Sequence, residues 1–136
     1  SGVSIVATYN GKLLLLQEFR MGVNKTIYNL CAGMQEEQES IEECIARELY
    51  EETGLQVKKI HTILPPSYAA VAISDVKTYI AFAEVDGEIS DHTSENELIQ
   101  PKFYDKESVL KLLETEEFSP RAQIAAFFFT KCENMF

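Results

Sequence analysis

The sequence predicts one α/β domain, in which a mixed β-sheet and a few helices form a sandwich. Strand-like segments are interleaved with few helical segments, which is typical of that architecture. Hydrophobic residues make up 46% and charged residues 25% of the 136 residues, the composition of a packed globular domain. We see no linker, composition break or internal repeat. We therefore expect a single domain over residues 1–136.

The N-terminal third is predicted to be mostly strand. Residues 3–9 are apolar and β-branched, and Asn10-Gly11 is the strongest short signal for a hairpin turn. Residues 12–19 then return as the second strand, and residues 26–30 form a short third one.

The remaining elements alternate between helix and strand. Pro65-Pro66 interrupts the strands of this part of the chain. Ser119-Pro120 is expected to begin the last helix, with Ser119 as N-cap. The predicted elements are a helix at 41–53, strands at 55–64 and 76–85, a polar loop at 92–97, a strand at 101–104 and a helix at 106–115.

The helix at 41–53 has start and stop signals of its own. Ser40 and Glu43 have the spacing of a capping box, in which each side chain bonds the backbone N–H of the other residue. Gly54 follows where a left-handed residue ends a helix.

Carboxylates share the apolar face of this helix. At about 100° per residue, Glu48, Glu51 and Glu52 fall in the same sector as the apolar side chains. Residues 36–52 contain eight Glu and a single Arg, Arg47, which cannot neutralise them all. Inward carboxylates need a positive partner, and hard oxygen ligands suit Mg²⁺ or Mn²⁺. A solvated acidic face is the alternative interpretation.

The overall charge excludes some classes of function. A net charge of −10 disfavours binding to nucleic acid or to an anionic membrane surface. An anionic substrate would need metal ions between it and the protein.

The three Cys residues are widely spaced and form no CxxC pair, which favours reduced thiols and a cytoplasmic location.

The spacing around this helix resembles the complete Nudix box. The fixed positions of that signature are filled by Gly33, Glu39, Arg47, Glu48, Leu49, Glu51, Glu52, Gly54 and Leu55. The resemblance implies the Nudix fold, an α/β/α sandwich. It also implies metal-dependent hydrolysis of a nucleoside diphosphate linked to another moiety.

The same resemblance implies roles for individual residues. Glu48, Glu51 and Glu52 would bind the metal ions together with the backbone carbonyl of Ala32. Arg47 would hold a carboxylate of the box in place. In the same motif, Gly33 would be a substrate-binding residue, and Glu39 would support the loop.

The flanking sequence resembles the ADP-ribose pyrophosphatase branch. In the segment 17–20 the final Arg20 matches a residue that contacts substrate in that branch. The segments 28–33 and 68–75 resemble the branch's entry to the box and a loop that follows it. The chain departs from the branch at Asn29, Cys31, Val71, Ala72 and Val76. ADP-ribose or a related nucleoside diphosphate sugar is the expected substrate, and (oxidised) nucleoside triphosphates are an alternative.

The catalytic base is expected in the polar loop. Glu95 is the first candidate and Glu97 the second, while Glu48 itself is the base in some other Nudix subfamilies.

A Nudix-fold module that binds without hydrolysis would typically lack a carboxylate of the box. An acidic calcium-binding protein would need an EF-hand loop, which is not present in the sequence.

The chain begins Ser1-Gly2 and enters a predicted strand at once. We expect that an upstream segment is missing. In the branch that this chain resembles, such a segment pairs with a second subunit, so a homodimer is possible for the longer protein.

Overall fold

A computed structural model describes residues 1–90, 98–133 and 135. In chain order the elements are β1 (Gly2–Tyr9), β2 (Lys12–Arg20), β3 (Lys25–Asn29), β4 (Cys31–Met34), α1 (Ile41–Thr53), β5 (Gln56–Ile63), β6 (Ser67–Tyr68), β7 (Lys77–Asp86), β8 (Ile99–Tyr104), α2 (Lys106–Thr115), β9 (Glu117–Phe118) and α3 (Pro120–Lys131).

The strands form one mixed sheet. Its main path runs β5-β7-β1-β2-β3-β9, with β4 on β1, β6 on β7 and β8 on β2. β1 pairs with β7 in parallel and with β2 and β4 antiparallel. The predicted mixed sheet is confirmed.

Strands β1 and β2 separate soon after their hairpin. They pair with each other at Tyr9 and Lys12, next to Asn10 and Gly11, which have φ of 52° and 76°. Farther from the turn, β1 pairs with β4 through Gly2–Ile5, whereas β2 pairs with β8 and β3. This divergence opens the sheet between β2 and β4.

Two hydrophobic cores lie on opposite faces of the sheet. Successive side chains of β2 alternate between them, because neighbouring residues of a strand point to opposite faces. Leu14 and Leu16 pack under α1 with Ile45 and Leu49. Leu13 and Leu15 belong to the second core, with residues of α2 and α3 that include Val109, Ala122 and Phe129. The sheet therefore lies between helices, as the α/β/α sandwich requires.

Helix α1 has the predicted bounds and caps. Ser40 and Glu43 form both bonds of the capping box, and Gly54 ends the helix with φ of 80°. Ser119 is the N-cap of α3, but its side chain makes no capping hydrogen bond there. None of the described helices is long and apolar enough to cross a membrane.

Other predicted elements need correction. The third strand is Lys25–Asn29 rather than 26–30, and the chain then forms β4, which was not predicted. The two-residue strands β6 and β9 were also missed. Such short strands carry no periodic pattern and depend on the strands beside them. The predicted loop 92–97 lies outside the described residues.

Candidate functional site

Arg47 joins the loop before α1 to the helix itself. Its Nε donates to Glu39 Oε2 at 2.6 Å, and its Nη2 donates to Glu39 Oε1 at 3.0 Å, so the pair is bidentate. Nη2 also donates to the carbonyl oxygen of Met34 at 2.9 Å. The hydrogen bond from Arg47, helped by a backbone N–H, lowers the pKa of Glu39 to about 2. The pair therefore fixes β4 and the loop against α1.

Glu48 is held between Arg47 and Gly33. Arg47 Nη1 donates to Glu48 Oε1 at 2.9 Å, and the Glu48 side chain is only 13% exposed. A Cβ atom at Gly33 would lie 2.0 Å from Glu48 Cδ, far inside van der Waals contact. Glycine is required here because the carboxylate occupies the space that any side chain would take.

Glu52 is the half-buried carboxylate on the next turn of the helix. Its Oε1 accepts from the backbone N–H of Ala32 at 3.1 Å and lies 3.6 Å from Cys31 Sγ. Burial raises the pKa of Glu52 to about 7, and the negative charge of Glu48 contributes in the same direction. Its negative charge is therefore costly in the absence of a cation.

Glu51 differs from its two neighbours. Its side chain is 56% exposed, and its Oε2 lies 3.1 Å from Arg47 Nη1. The expectation that all three carboxylates point inward is wrong for Glu51, because it lies at the edge of the apolar sector, where the helix meets solvent.

The described residues include no group of three His, Cys, Asp or Glu side chains arranged to hold a metal ion. Arg47 is within 4 Å of four carboxylates, those of Glu36, Glu39, Glu48 and Glu51. One guanidinium is therefore shared by four carboxylates, and Glu52 is not among them.

A cleft of about 350 Å³ opens where β1 and β2 diverge. Ala32, Gly33 and Glu52 line it from β4 and α1, and Glu18 lines it from β2. Arg121 of α3 also lines it, which sequence reasoning missed because no motif marks that residue. The segment 68–75 contributes Ala69 to the wall.

The other predicted site residues are more distant or lie outside the described chain. Arg20 lines a neighbouring depression that shares Glu18 with the cleft, and its Nη1 is 3.5 Å from Glu18 Oε2. Its side chain is 64% exposed. Glu95 and Glu97 lie outside the described residues.

Two curated proteins are similar to this chain. The ADP-ribose pyrophosphatase of Bacillus subtilis is 31% identical in an alignment of length 118 that covers 83% of this chain and 62% of the relative. The NAD-capped RNA hydrolase NudC of Photobacterium profundum is 50% identical over 50 residues, or 36% of this chain and 18% of that protein. The chain thus spans less than two thirds of the length of either relative.

A solved structure and a family model match most of the chain. The crystal structure of an ADP compounds hydrolase superposes with a TM-score of 0.75 at 24% identity, covering 96% of this chain and 70% of that one. The sequence model of the NUDIX domain matches residues 1–127. With the motif, the sandwich and the family model in agreement over nearly its whole length, this chain belongs to the NUDIX domain family.

Proposed function

We propose that this protein hydrolyses the diphosphate linkage of a nucleoside diphosphate joined to another moiety, with ADP-ribose or a nucleoside diphosphate sugar as its substrate. The observation that carries the proposal is the pair Glu48 and Glu52, half-buried carboxylates on successive turns of α1. Glu52 lines the cleft, and Glu48 lies against Gly33, which also lines it. Two of the similar proteins are an ADP-ribose pyrophosphatase and an ADP compounds hydrolase, which supports this class of substrate.

The site fits a hard divalent cation, Mg²⁺ in the first place with Mn²⁺ as a substitute. Mg²⁺ keeps several waters and usually takes one or two carboxylates plus phosphate oxygens of the substrate. That preference agrees with a site that presents Glu48 and Glu52 but no preassembled group of three side chains among the described residues. The raised pKa of Glu52 also fits, because a cation would remove the cost of its charge. Glu51 and the carbonyl of Ala32 would complete the protein ligands.

When bound, such a metal ion neutralises phosphate charge and lowers the pKa of a coordinated water. The protein's own residues supply orientation. Arg47 holds the Glu48 carboxylate through Nη1, and Glu39 in turn holds Arg47 through two bonds. Gly33 leaves room for the carboxylate beside the backbone.

Further roles follow from the family resemblance. Glu95, or in second place Glu97, would accept the proton of the attacking water. Arg20 would contact the substrate beside Glu18. We also propose a cytoplasmic location, since Cys31, Cys44 and Cys132 are free thiols, and a homodimer as the oligomeric state.

The test is hydrolysis of a panel of substrates with Mg²⁺, with Mn²⁺ and with a chelator. The panel contains ADP-ribose, nucleoside diphosphate sugars, dinucleoside polyphosphates and oxidised nucleoside triphosphates, and the products are identified by phosphorus NMR. We expect release of phosphomonoesters from ADP-ribose or a nucleoside diphosphate sugar, only with a divalent cation. Preferential hydrolysis of the nucleoside triphosphates would show that they, and not nucleoside diphosphate sugars, are the substrate class. Binding of these compounds without any turnover would show a non-hydrolytic module.

Two substitutions examine the carboxylates directly. Glu48→Gln and Glu52→Gln keep the size of the side chain and remove its charge, so turnover should fall by about 100-fold or more, since the metal supplies several kcal/mol in the transition state. Glu37→Gln removes a charge from the exposed loop before α1 and is the matched control. Full activity in both glutamate variants of α1 would refute the assignment.

A further inference from the structure

Arg121 is the positive side chain that lines the same cleft as the carboxylates of Glu18 and Glu52. Among the described residues that line the cleft, Glu18 and Glu52 are acidic and Arg121 is the cationic one. It comes from α3, which packs on the opposite face of the sheet from α1. Glu52 and Arg121 therefore come to the cleft from helices on opposite faces of the sheet.

Among the described residues, none accepts a hydrogen bond from the Arg121 side chain. No carboxylate within residues 1–90, 98–133 and 135 forms an ion pair with it, and the structure gives its side chain no hydrogen bond in that part of the chain. The other two arginines differ in this respect. Arg47 is occupied by its carboxylates, and Arg20 lies beside Glu18. Arg121 has five N–H donors available for a ligand.

The beginning of α3 is fixed to the strand that enters the cleft. Asn29 Oδ1 accepts from Ser119 Oγ at 2.7 Å and from the backbone N–H of Leu30 at 2.9 Å. The backbone N–H of Ser119 donates to the carbonyl oxygen of Tyr28 at 3.0 Å. These bonds hold the start of α3, and with it the backbone of Arg121, against the end of β3.

The first turn of α3 has no side-chain cap. The Ser119 hydroxyl donates to Asn29 Oδ1, and its oxygen accepts no hydrogen bond from the N–H groups of that turn. The positive end of the helix dipole adds to the charge of the guanidinium at this point. Both contributions favour an anion on the α3 side of the cleft.

We infer that Arg121 is a substrate-binding residue of the proposed site, and that its guanidinium binds phosphate oxygens of the nucleoside diphosphate from the α3 side. The inference rests on the proposed function for its substrate class. Metal ions at Glu48 and Glu52 would neutralise one side of the diphosphate, and the planar guanidinium suits the remaining phosphate oxygens because it can bind two of them at once.

The test compares wild type, Arg121→Ala, Arg121→Lys and the control Gln123→Ala, an exposed residue of the same helix. Calorimetry with Mn²⁺ measures the affinity for ADP, steady-state kinetics with ADP-ribose give KM and kcat, and electron paramagnetic resonance measures Mn²⁺ binding. We expect Arg121→Ala to weaken ADP binding and raise KM about 10- to 100-fold, the usual range for a charge-assisted pair, with a smaller change in kcat. Mn²⁺ affinity should not change, Gln123→Ala should match wild type, and Arg121→Lys should recover part of the loss.

The outcomes separate this inference from the proposed function. If wild type hydrolyses none of the panel while Arg121→Ala still weakens ADP binding, the hydrolase proposal fails and the role of Arg121 stands. An unchanged ADP affinity in Arg121→Ala would overturn the inference, as would wild type that binds no ADP. Equal losses of Mn²⁺ and ADP affinity would also overturn it, because they would show a general disturbance of the cleft.

Discussion

At the scale of single residues, the site depends on Gly33, which has no side chain, and on Glu52, whose negative charge is half-buried. Gly33 has no Cβ, and the Glu48 carboxylate fills the space that a Cβ would need. Glu52 lies one turn farther along, half-buried, with the backbone N–H of Ala32 as its hydrogen-bond donor. Both features bring carboxylate oxygens close to the backbone of β4.

Gly33→Ala should abolish most activity while the fold survives. The new methyl group must displace the Glu48 carboxylate, which is the end of a flexible side chain, so the free energy of unfolding should change by only about 1 kcal/mol. Turnover and thermal melting measure the two effects. Gly22→Ala is the control, because a Cβ there meets no atom within 4 Å. Normal turnover in Gly33→Ala would show that the position of Glu48 is not needed.

Glu52→Gln should stabilise the metal-free protein, and more so at high pH. The pKa of Glu52 is about 7 in the folded state, above its ordinary value of 4.5. Between these values the folded protein holds a proton that the unfolded chain has released, so its stability falls as the pH rises and the full cost is present above pH 7. The advantage of the variant should approach roughly 3 kcal/mol at pH 8 and vanish near pH 4.

Denaturant unfolding in the presence of a chelator, at several pH values, measures this difference. Glutamine retains the oxygen that accepts from Ala32, so only the charge is lost. Glu37→Gln, in the exposed loop, should follow wild type. A stabilisation of equal size at pH 4 and pH 8 would contradict the assigned cause.

At the scale of elements, α1 is held at both ends and also to the loop before it. The capping box closes its N-terminus, and Gly54 closes its C-terminus. The Arg47–Glu39 pair adds a link from the middle of the helix to the preceding loop. The helix therefore presents Glu48 and Glu52 in a constant orientation toward β4.

Gly54→Ala should destabilise the protein more than Gly87→Ala does. Both glycines have positive φ, 80° and 96°, so both substitutions incur the left-handed strain of roughly 1–2 kcal/mol. A Cβ at Gly54 would also lie 2.5 Å from Ser90 Cβ, whereas one at Gly87 meets nothing within 4 Å. The difference between the two free energies of unfolding therefore measures the contact with Ser90. Equal losses would show that only the backbone strain matters.

At the scale of the whole molecule, an acidic chain forms a cleft that carboxylates line from two elements. The chain carries a net charge of −10, and Glu18 of β2 and Glu52 of α1 line the cleft. Arg121 enters from the other layer. An anionic substrate therefore needs cations at this place.

Divalent cations should raise the melting temperature of wild type but hardly that of Glu52→Gln. A ligand that binds the folded state alone adds about 2.7 kcal/mol at a hundredfold excess over its dissociation constant. Melting with Mg²⁺, with Mn²⁺ and with Na⁺ at equal ionic strength separates specific binding from screening. If cations raised the melting temperature of Glu52→Gln by as much as that of wild type, the cation would bind at a site that does not include Glu52.

Local chemistry in the sequence determined much of this protein. The bounds of α1, its caps and the Asn10-Gly11 hairpin were predicted correctly, because capping groups and turn residues act over a few positions. The α/β/α sandwich and the NUDIX family followed from the element order and from the spacing of the motif.

Tertiary structure decided what depends on distant neighbours. β4 exists because β1 pairs with it, and β9 because β3 does, so no local pattern marked either strand. Helical periodicity placed Glu51 with Glu48, but only the packed sheet determines where the buried sector ends. Arg121 reaches the cleft because Asn29 binds the start of α3, a contact between residues 90 positions apart in the chain. Packing brings such residues together across the sheet, and their spacing in the sequence does not indicate that they are in contact.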